Sequence, residues 1–345
     1  MPDPAAPRKP SRLGLYLPFA LLLAGIVAWS GLWLWARSQA VSRMDAAVAD
    51  LAKAGYQIGW KDRDIGGYPF RIDVTLDEPR VREPSGWGLE APRLEAEAYL
   101  HAPNHWVMAA PTGLTFVRPE AGPVTVTGKL VHASLFDLGK RPPSFDFEGV
   151  GLAFQPQPGA QPFSLASAER VEFHLRAGPD DEGGVFFNVQ NGKSRFSGLF
   201  ARIAGDKPVS IVWNATLSKM SAFTGPDWPS AVRRWTDAGG QMHVRQAGVT
   251  AGDALIGAQQ GTLSVGSDGR LRGTLDVTLR QAPLALGAMG ASGVLPPETA
   301  QAAADVTQAR EGVDKTAHAT LDFQAGRTTL GPVAIGPAPK VYEAR

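Results

Sequence analysis

The chain has 345 residues, 44% of them hydrophobic and 19% charged, which excludes compositional disorder and supplies enough apolar material for a sizeable core. Lysine and arginine total 34 against 33 aspartates and glutamates, and this near-balance leaves no sustained field to draw in nucleic acid. Cysteine is absent, which excludes disulfides, thiolate metal sites and a catalytic thiol.

The first element is an apolar run. From Leu13 to Ala36 the chain reads LGLYLPFALLLAGIVAWSGLWLWA without a single charge. About 20 apolar residues suffice to cross the hydrocarbon core, so residues 13–36 are expected to form a transmembrane helix. Arg8, Lys9 and Arg12 precede it and Arg37 and Arg43 follow, so residues 1–12 are expected on the cytoplasmic side, with the long remainder translocated. Tyr16 at one end and Trp29, Trp33 and Trp35 at the other suit the interfacial belts of a bilayer. The competing reading is a cleaved signal peptide ending at Ser38-Gln39-Ala40, but such peptides carry an apolar region of only about 7–15 residues. Residues 37–55 are expected to carry the helix out of the membrane as a stalk, with Met44, Val48 and Leu51 on one face and Gly55 as the stop.

Residues 56–345 are expected to form a β-rich domain outside the membrane. Thirty-nine glycines and 28 prolines point to many turns. Strict alternation marks strands with one apolar face. It occurs at Phe70-Ile72-Val74-Leu76, Leu94-Ala96-Ala98-Leu100, Val171-Phe173-Leu175-Ala177, Ile211-Trp213-Ala215-Leu217, Leu271 to Leu279 and Ala317-Ala319-Leu321-Phe323. Ser267-Asp268-Gly269 reads as a hairpin turn, since Asp-Gly supplies positive φ angles. Short helices are expected over 229–238 and 297–310, while the small residues of 287–293, which match no phosphate-binding fingerprint, read as tight packing. The QPQPGAQ stretch at 155–161 and the acidic turn at 180–184 mark a sub-boundary within the domain. The fold class is therefore mainly β: one large, curved antiparallel sheet, a groove or half-barrel, with two or three short helices.

Within this pattern Gly66-Gly67-Tyr68-Pro69-Phe70-Arg71 stands out. The glycines permit a sharp turn, and Pro69 belongs at the start of a strand, with its aromatic–Pro bond a candidate for cis geometry. Phe70 opens the apolar face and Arg71 points the other way, where it could meet a lipid phosphate or a partner. Phe70, Ile72, Val74 and Leu76, with Trp228 in a proline-flanked turn, are the candidate ligand-lining residues. Catalytic and metal chemistry is not expected, and neither is a cofactor. His101 and His105 are separated by Pro103 in a strand-and-turn context, which disfavours a zinc pair. Asp180-Asp181-Glu182 lacks the alternating spacing of a calcium loop, Asp62 and Asp64 flank Arg63 as ordinary surface charges, and no nucleophile elbow is present.

The GGYPFR segment, together with Gly261 to Leu279 (GTLSVGSDGRLRGTLDVTL) and the terminal Leu330-Gly331-Pro332-Val333 and Gly336-Pro337-Ala338-Pro339, resembles domain-of-unknown-function family 2125. That resemblance implies an N-terminal anchor in the inner membrane of Gram-negative bacteria and an envelope-facing, periplasmic domain, with no established activity. A more distant similarity to AsmA-like envelope proteins implies a curved, lipid-accommodating sheet. The expected function is thus a non-catalytic envelope protein that binds or guides membrane lipid along an apolar groove. The alternative is a structural or assembly factor that docks other envelope proteins at the membrane.

Overall fold

The computed structural model describes residues 13–140, 142–195, 206–252, 254–291, 296–308, 316–331 and 333–342. The expected cytoplasmic segment 1–12, residue 293, Arg310 and Pro332 lie outside the described residues.

A single helix, α1 (Leu13–Lys53), takes up both the apolar run and the segment beyond it. It ends as Gly55 dictates. Gly55 adopts φ 92°, its N–H donates to the Ala52 carbonyl at 3.0 Å and the Tyr56 N–H reaches the Leu51 carbonyl at 3.0 Å, the paired bonds of a Schellman stop. Residues 37–53 are not a free stalk. Trp33, Ala36, Ala40, Val41 and Met44 form a stripe that packs onto Ile65, Ile72, Val74 and Leu76 of the sheet. The spacing of three and four residues explains why a single helical face makes this contact.

Twenty strands then form one open antiparallel sheet. The first ten are halves of five long strands, each broken once. They are β1 (Gln57–Gly59) with β2 (Asp62–Gly66), β3 (Arg71–Asp77) with β4 (Arg80–Arg82), β5 (Gly88–Glu90) with β6 (Arg93–Tyr99), β7 (Trp106–Ala109) with β8 (Leu114–Arg118), and β9 (Gly122–Thr127) with β10 (Leu130–Phe136). One branch of the sheet runs β2–β3–β6–β7–β10 and the other β1–β4–β5–β8–β9. Both rejoin on β11 (Ser144–Pro156), whose first half pairs with β10 and whose second half pairs with β9.

The breaks therefore line up as a crease across the sheet. Pro79 and Pro92 occupy facing strands at the crease, where the ladder would lose their N–H groups. The Glu78 N–H donates instead to the Pro92 carbonyl at 2.9 Å and the Ala91 N–H to the Pro79 carbonyl at 3.0 Å, so the hairpin stays zipped round the corner. Further along the crease Gly113 sits at φ 84° and Gly151 at φ 61°. Leu152, 2% exposed, anchors the cluster at the bend, with Val124, Val126, Phe154, Leu165 and Val189 around it.

From β11 onward the strands are long and follow one another as a plain meander. They are β12 (Leu165–Ala177), β13 (Gly183–Ser194), β14 (Val209–Leu217), β15 (Met242–Ala251), β16 (Ala254–Val265), β17 (Leu271–Arg280), β18 (Ala317–Gln324), β19 (Arg327–Leu330) and β20 (Val333–Pro337). The pairing continues without interruption from β11 through β12 to β13, and the two polar stretches are simply the turns between them. The Asp268-Gly269 turn joins β16 to β17 as its dipeptide requires, with Gly269 at φ 76°.

Among the described residues, three short α-helices pack beside the sheet: α2 (Trp228–Asp237), α3 (Ala282–Ala291) and α4 (Pro297–Gln308). Asp227 caps α2 by accepting the Ser230 N–H at 2.8 Å. Residues 287–291 lie in α3, where a Cβ added at Gly290 would come within 2.6 Å of Ala300 Cβ, so the small residues there serve tight packing. In the same helix Ala282 and Leu286 pack with Ala300 and Ala304 of α4 over Ala247, Ala258 and Val277 of the sheet.

The crease gives a direct test. A Cβ at Gly113 would run into the Val126 carbonyl oxygen, at a φ that alanine adopts reluctantly. Gly113→Ala is expected to cost about 1–3 kcal/mol, read as a lowered denaturation midpoint of the detergent-solubilised chain.

Candidate functional site

The site is built where the 66–71 segment meets α1. Gly67 takes φ 94°, and an added Cβ would lie 2.6 Å from the Arg71 carbonyl oxygen, so the turn is closed to larger residues. The Tyr68–Pro69 bond is cis, as the aromatic–proline pair suggests. This turn is clasped to the helix at successive levels. The Trp29 indole N–H donates to the Pro69 carbonyl at 2.7 Å and the Trp33 indole N–H to the Arg71 carbonyl at 2.8 Å. Ser30 Oγ donates to the Ile26 carbonyl and so is left to accept from the Tyr68 hydroxyl at 2.9 Å. Trp33 meets Tyr68 edge-on with ring centres 5.5 Å apart, and Trp29 lies 6.3 Å from Phe70. Arg37 continues the clasp by donating to the Ile65 carbonyl at 3.1 Å, and Arg63 pairs with Asp45 at 2.7 Å.

The proposed lining residues separate. Ile72, Val74 and Leu76 are buried beneath α1, so the helix already fills the face that was expected to receive a ligand there. Phe70 is 65% exposed, beyond the helix's cover. Arg71 is held between Asp73 and Glu97, each at 2.9 Å, which turns its charge along the sheet. Trp228 opens α2, donates to the Val341 carbonyl at 2.9 Å and rests against Phe223, with part of its ring exposed. Among the described residues no group of three potential metal ligands comes together. His101 lies tilted against Tyr99 and His105 against Phe136, with ring centres 5.3 and 5.2 Å apart. Asp181 accepts the Ser221 N–H and hydroxyl at 2.7 and 2.8 Å, which makes the acidic turn a structural brace.

A second feature emerges only from the pairing register. Residues directly opposite one another on antiparallel strands share a face. Starting under α1, Val74 faces Ala96, Ala96 faces Met108, and Met108 faces Ala133. The row continues as Phe147, Phe173, Phe187 and Trp213 on β11 to β14. It ends as Ala247, Ala258, Val277 and Ala319 on β15 to β18. Thus one uninterrupted apolar row crosses the sheet from the helix to its far side. Its ends are capped by α1 and by α3 with α4. In the middle Phe147, Phe173, Phe187 and Trp213 are half-buried, as are their neighbours Phe145, Leu175 and Val185.

The opposite face is mostly polar along the same strands, with Phe186 and Val212 among its apolar members. Asp146 lies between His174 Nδ1 at 2.5 Å and Arg176, whose two terminal nitrogens approach it at 2.6 and 2.8 Å. Burial pushes the Asp146 carboxyl up, but the hydrogen bonds and charges of Arg176 and His174 outweigh it and hold the group below the ordinary carboxylate range. Arg170 bridges Glu148 at 2.9 Å and Glu172 at 3.5 Å in the next register. Ser134 shares the row of Asp146 and His174, yet it pairs on the far side of Asp146, two strands or about 10 Å from the imidazole. That order cannot place the histidine as a base on the serine. The cluster is an electrostatic staple.

A long apolar helix clasped to a single open sheet, one face apolar and the other charged, defines the class as a helix-tethered β-sheet protein. The helix fits a single-pass membrane anchor or a signal sequence by length and composition. The chain belongs to the family described as "uncharacterized protein conserved in bacteria (DUF2125)", whose profile matches residues 33–339. No curated protein and no solved structure matches the chain.

Two measurements check this description. Trp33→Ala removes a buried indole and its bond to Arg71 and is expected to cost about 3–5 kcal/mol, seen as early protease cleavage near residue 54 and a lowered melting temperature. Asp146→Asn is expected to lower stability at neutral pH by about 1–3 kcal/mol. A depressed folded-state pKa stabilises above the unfolded value of 3.8 and ceases to do so as pH falls through the folded one, so parent and variant should converge in urea titrations below pH 3.8.

Proposed function

We propose that this protein is a non-catalytic, inner-membrane-anchored envelope protein whose sheet binds or guides lipid acyl chains on its apolar face, in the periplasm. The observation that carries the reading is the cross-strand row from Val74 to Ala319, which begins beneath the anchor and is capped only at its two ends by described helices. Half-buried aromatic side chains on four adjacent strands present an apolar floor of the kind that acyl chains cover, and the salt-bridged opposite face suits solvent.

Retention of the helix is supported by the same packing. Cleavage after Ala40 would strip Trp33, Ala36 and Arg37 from the domain and uncover Ile72 and Val74. Arg8, Lys9 and Arg12 precede the apolar run while Arg37 and Arg43 follow it, and this small excess of basic residues before the run favours a cytoplasmic N-terminus. The partner-docking alternative has no comparable support: the terminal strand β20 is five residues long and carries Pro337, a poor template for strand addition.

The test is photo-crosslinking of the full chain in nanodiscs that contain a diazirine-bearing phospholipid. Adducts are expected on peptides of β11 to β14 as well as on α1, and Phe173→Asp with Phe187→Asp should abolish the former while sparing the latter. Adducts confined to α1 in the parent protein would refute the groove.

A further inference from the structure

We infer that the turn at residues 67–70 is a membrane-seating surface, which holds the edge of the sheet in the headgroup layer of the bilayer that α1 crosses. The argument starts from length. The charged Arg12 precedes the helix, and the first contact of α1 with the domain is at Trp29, so only residues 13–28 stand free of the sheet. At about 1.5 Å per residue they reach about 24 Å, short of the roughly 30 Å of hydrocarbon. The missing turn of helix is Trp29 to Leu32, the level at which Tyr68, Pro69 and Phe70 are clasped to α1. A helix that spans the bilayer thus draws this turn to the boundary with it, because the hydrogen bonds of Trp29, Ser30 and Trp33 fix the two at one depth.

The chemistry of the turn agrees. Phe70 is 65% exposed and Tyr68 52%, and on the adjoining strand end Tyr99 is 47% exposed, with Leu100 bonded to the Phe70 carbonyl at 3.0 Å. Aromatic rings that leave the protein surface beside an apolar helix match the interfacial belt of a membrane and are costly in water. The nearest charges are paired within the sheet, Arg71 standing 2.9 Å from both Asp73 and Glu97, which leaves that trio with a single net negative charge. The partner is therefore the lipid interface itself, contacted by a rigid tip. This inference rests on α1 as a membrane anchor and is independent of any lipid on the sheet face.

Because the chain has no cysteine, single thiols can be introduced cleanly. Phe70→Cys and Tyr99→Cys, the second leaving the turn untouched, are labelled with an environment-sensitive nitrobenzoxadiazole in full-length protein reconstituted into phosphatidylethanolamine–phosphatidylglycerol vesicles. Gln161→Cys, in the turn between β11 and β12 at the opposite strand ends, is the reference. Positions 70 and 99 should emit to the blue of position 161, be quenched by headgroup-level nitroxide lipids and be severalfold less accessible to iodide. Equal iodide quenching at all three positions, with the chain still resistant to carbonate extraction, would overturn the seating while the anchor stands. Release by carbonate would overturn both.

Discussion

The clasp between α1 and the 66–71 turn is the contact on which the arrangement depends. A single helical rod serves two surroundings: its first turns have no protein around them, and its later turns are the lid of the first sheet branch. Trp33 stands at the changeover. Its ring completes the core formed by Ile65, Ile72, Val74 and Leu76, while its indole N–H satisfies the Arg71 carbonyl at the start of β3. The orientation of the sheet relative to the rod follows from this one residue and its neighbours Trp29, Ser30 and Arg37.

The sheet itself is governed by a separation of faces. Alternation puts an apolar side chain on one side and a polar one on the other at each step, and the antiparallel register carries that distinction from strand to strand. The crease preserves it. At several of the breaks prolines or positive-φ residues help the strand turn the corner, so the apolar face wraps inward around Leu152 rather than being interrupted. On the outer face, Asp146 with Arg176 and His174, and Glu148 with Arg170, tie β11 to β12 by charge.

Much of this was legible in the residues. The apolar run, the Gly55 stop, the alternation in β3, β12, β14, β17 and β18, the Asp268-Gly269 turn and the GGYPFR strand start all follow from local chemistry. The docking face of α1 was not, because in a run where every side chain is apolar no stripe stands out from the rest, and Trp29 and Trp33 read equally well as belt residues. For the same reason residues 37–53 looked like a stalk: Met44 and Val48 announce a face but not what covers it. Helix α3 is built from glycine, alanine and leucine, whose pattern carries no periodic contrast, and its reality comes from packing on α4 and the sheet. The row through Phe147, Phe173, Phe187 and Trp213 depends on register between strands, which local periodicity does not reveal. Only Phe173 and Trp213 lay in alternating runs identified beforehand.

The meander has a consequence for how the molecule comes into being. From β11 to β20 each strand is bonded to the one that precedes it in the chain, and the earlier bent strands add in the same order. Such nearest-neighbour wiring keeps loop-closure costs small. A polypeptide that emerges behind its N-terminal helix can therefore knit itself from the helix forward, each new hairpin meeting a finished edge, with that helix as the first stitch.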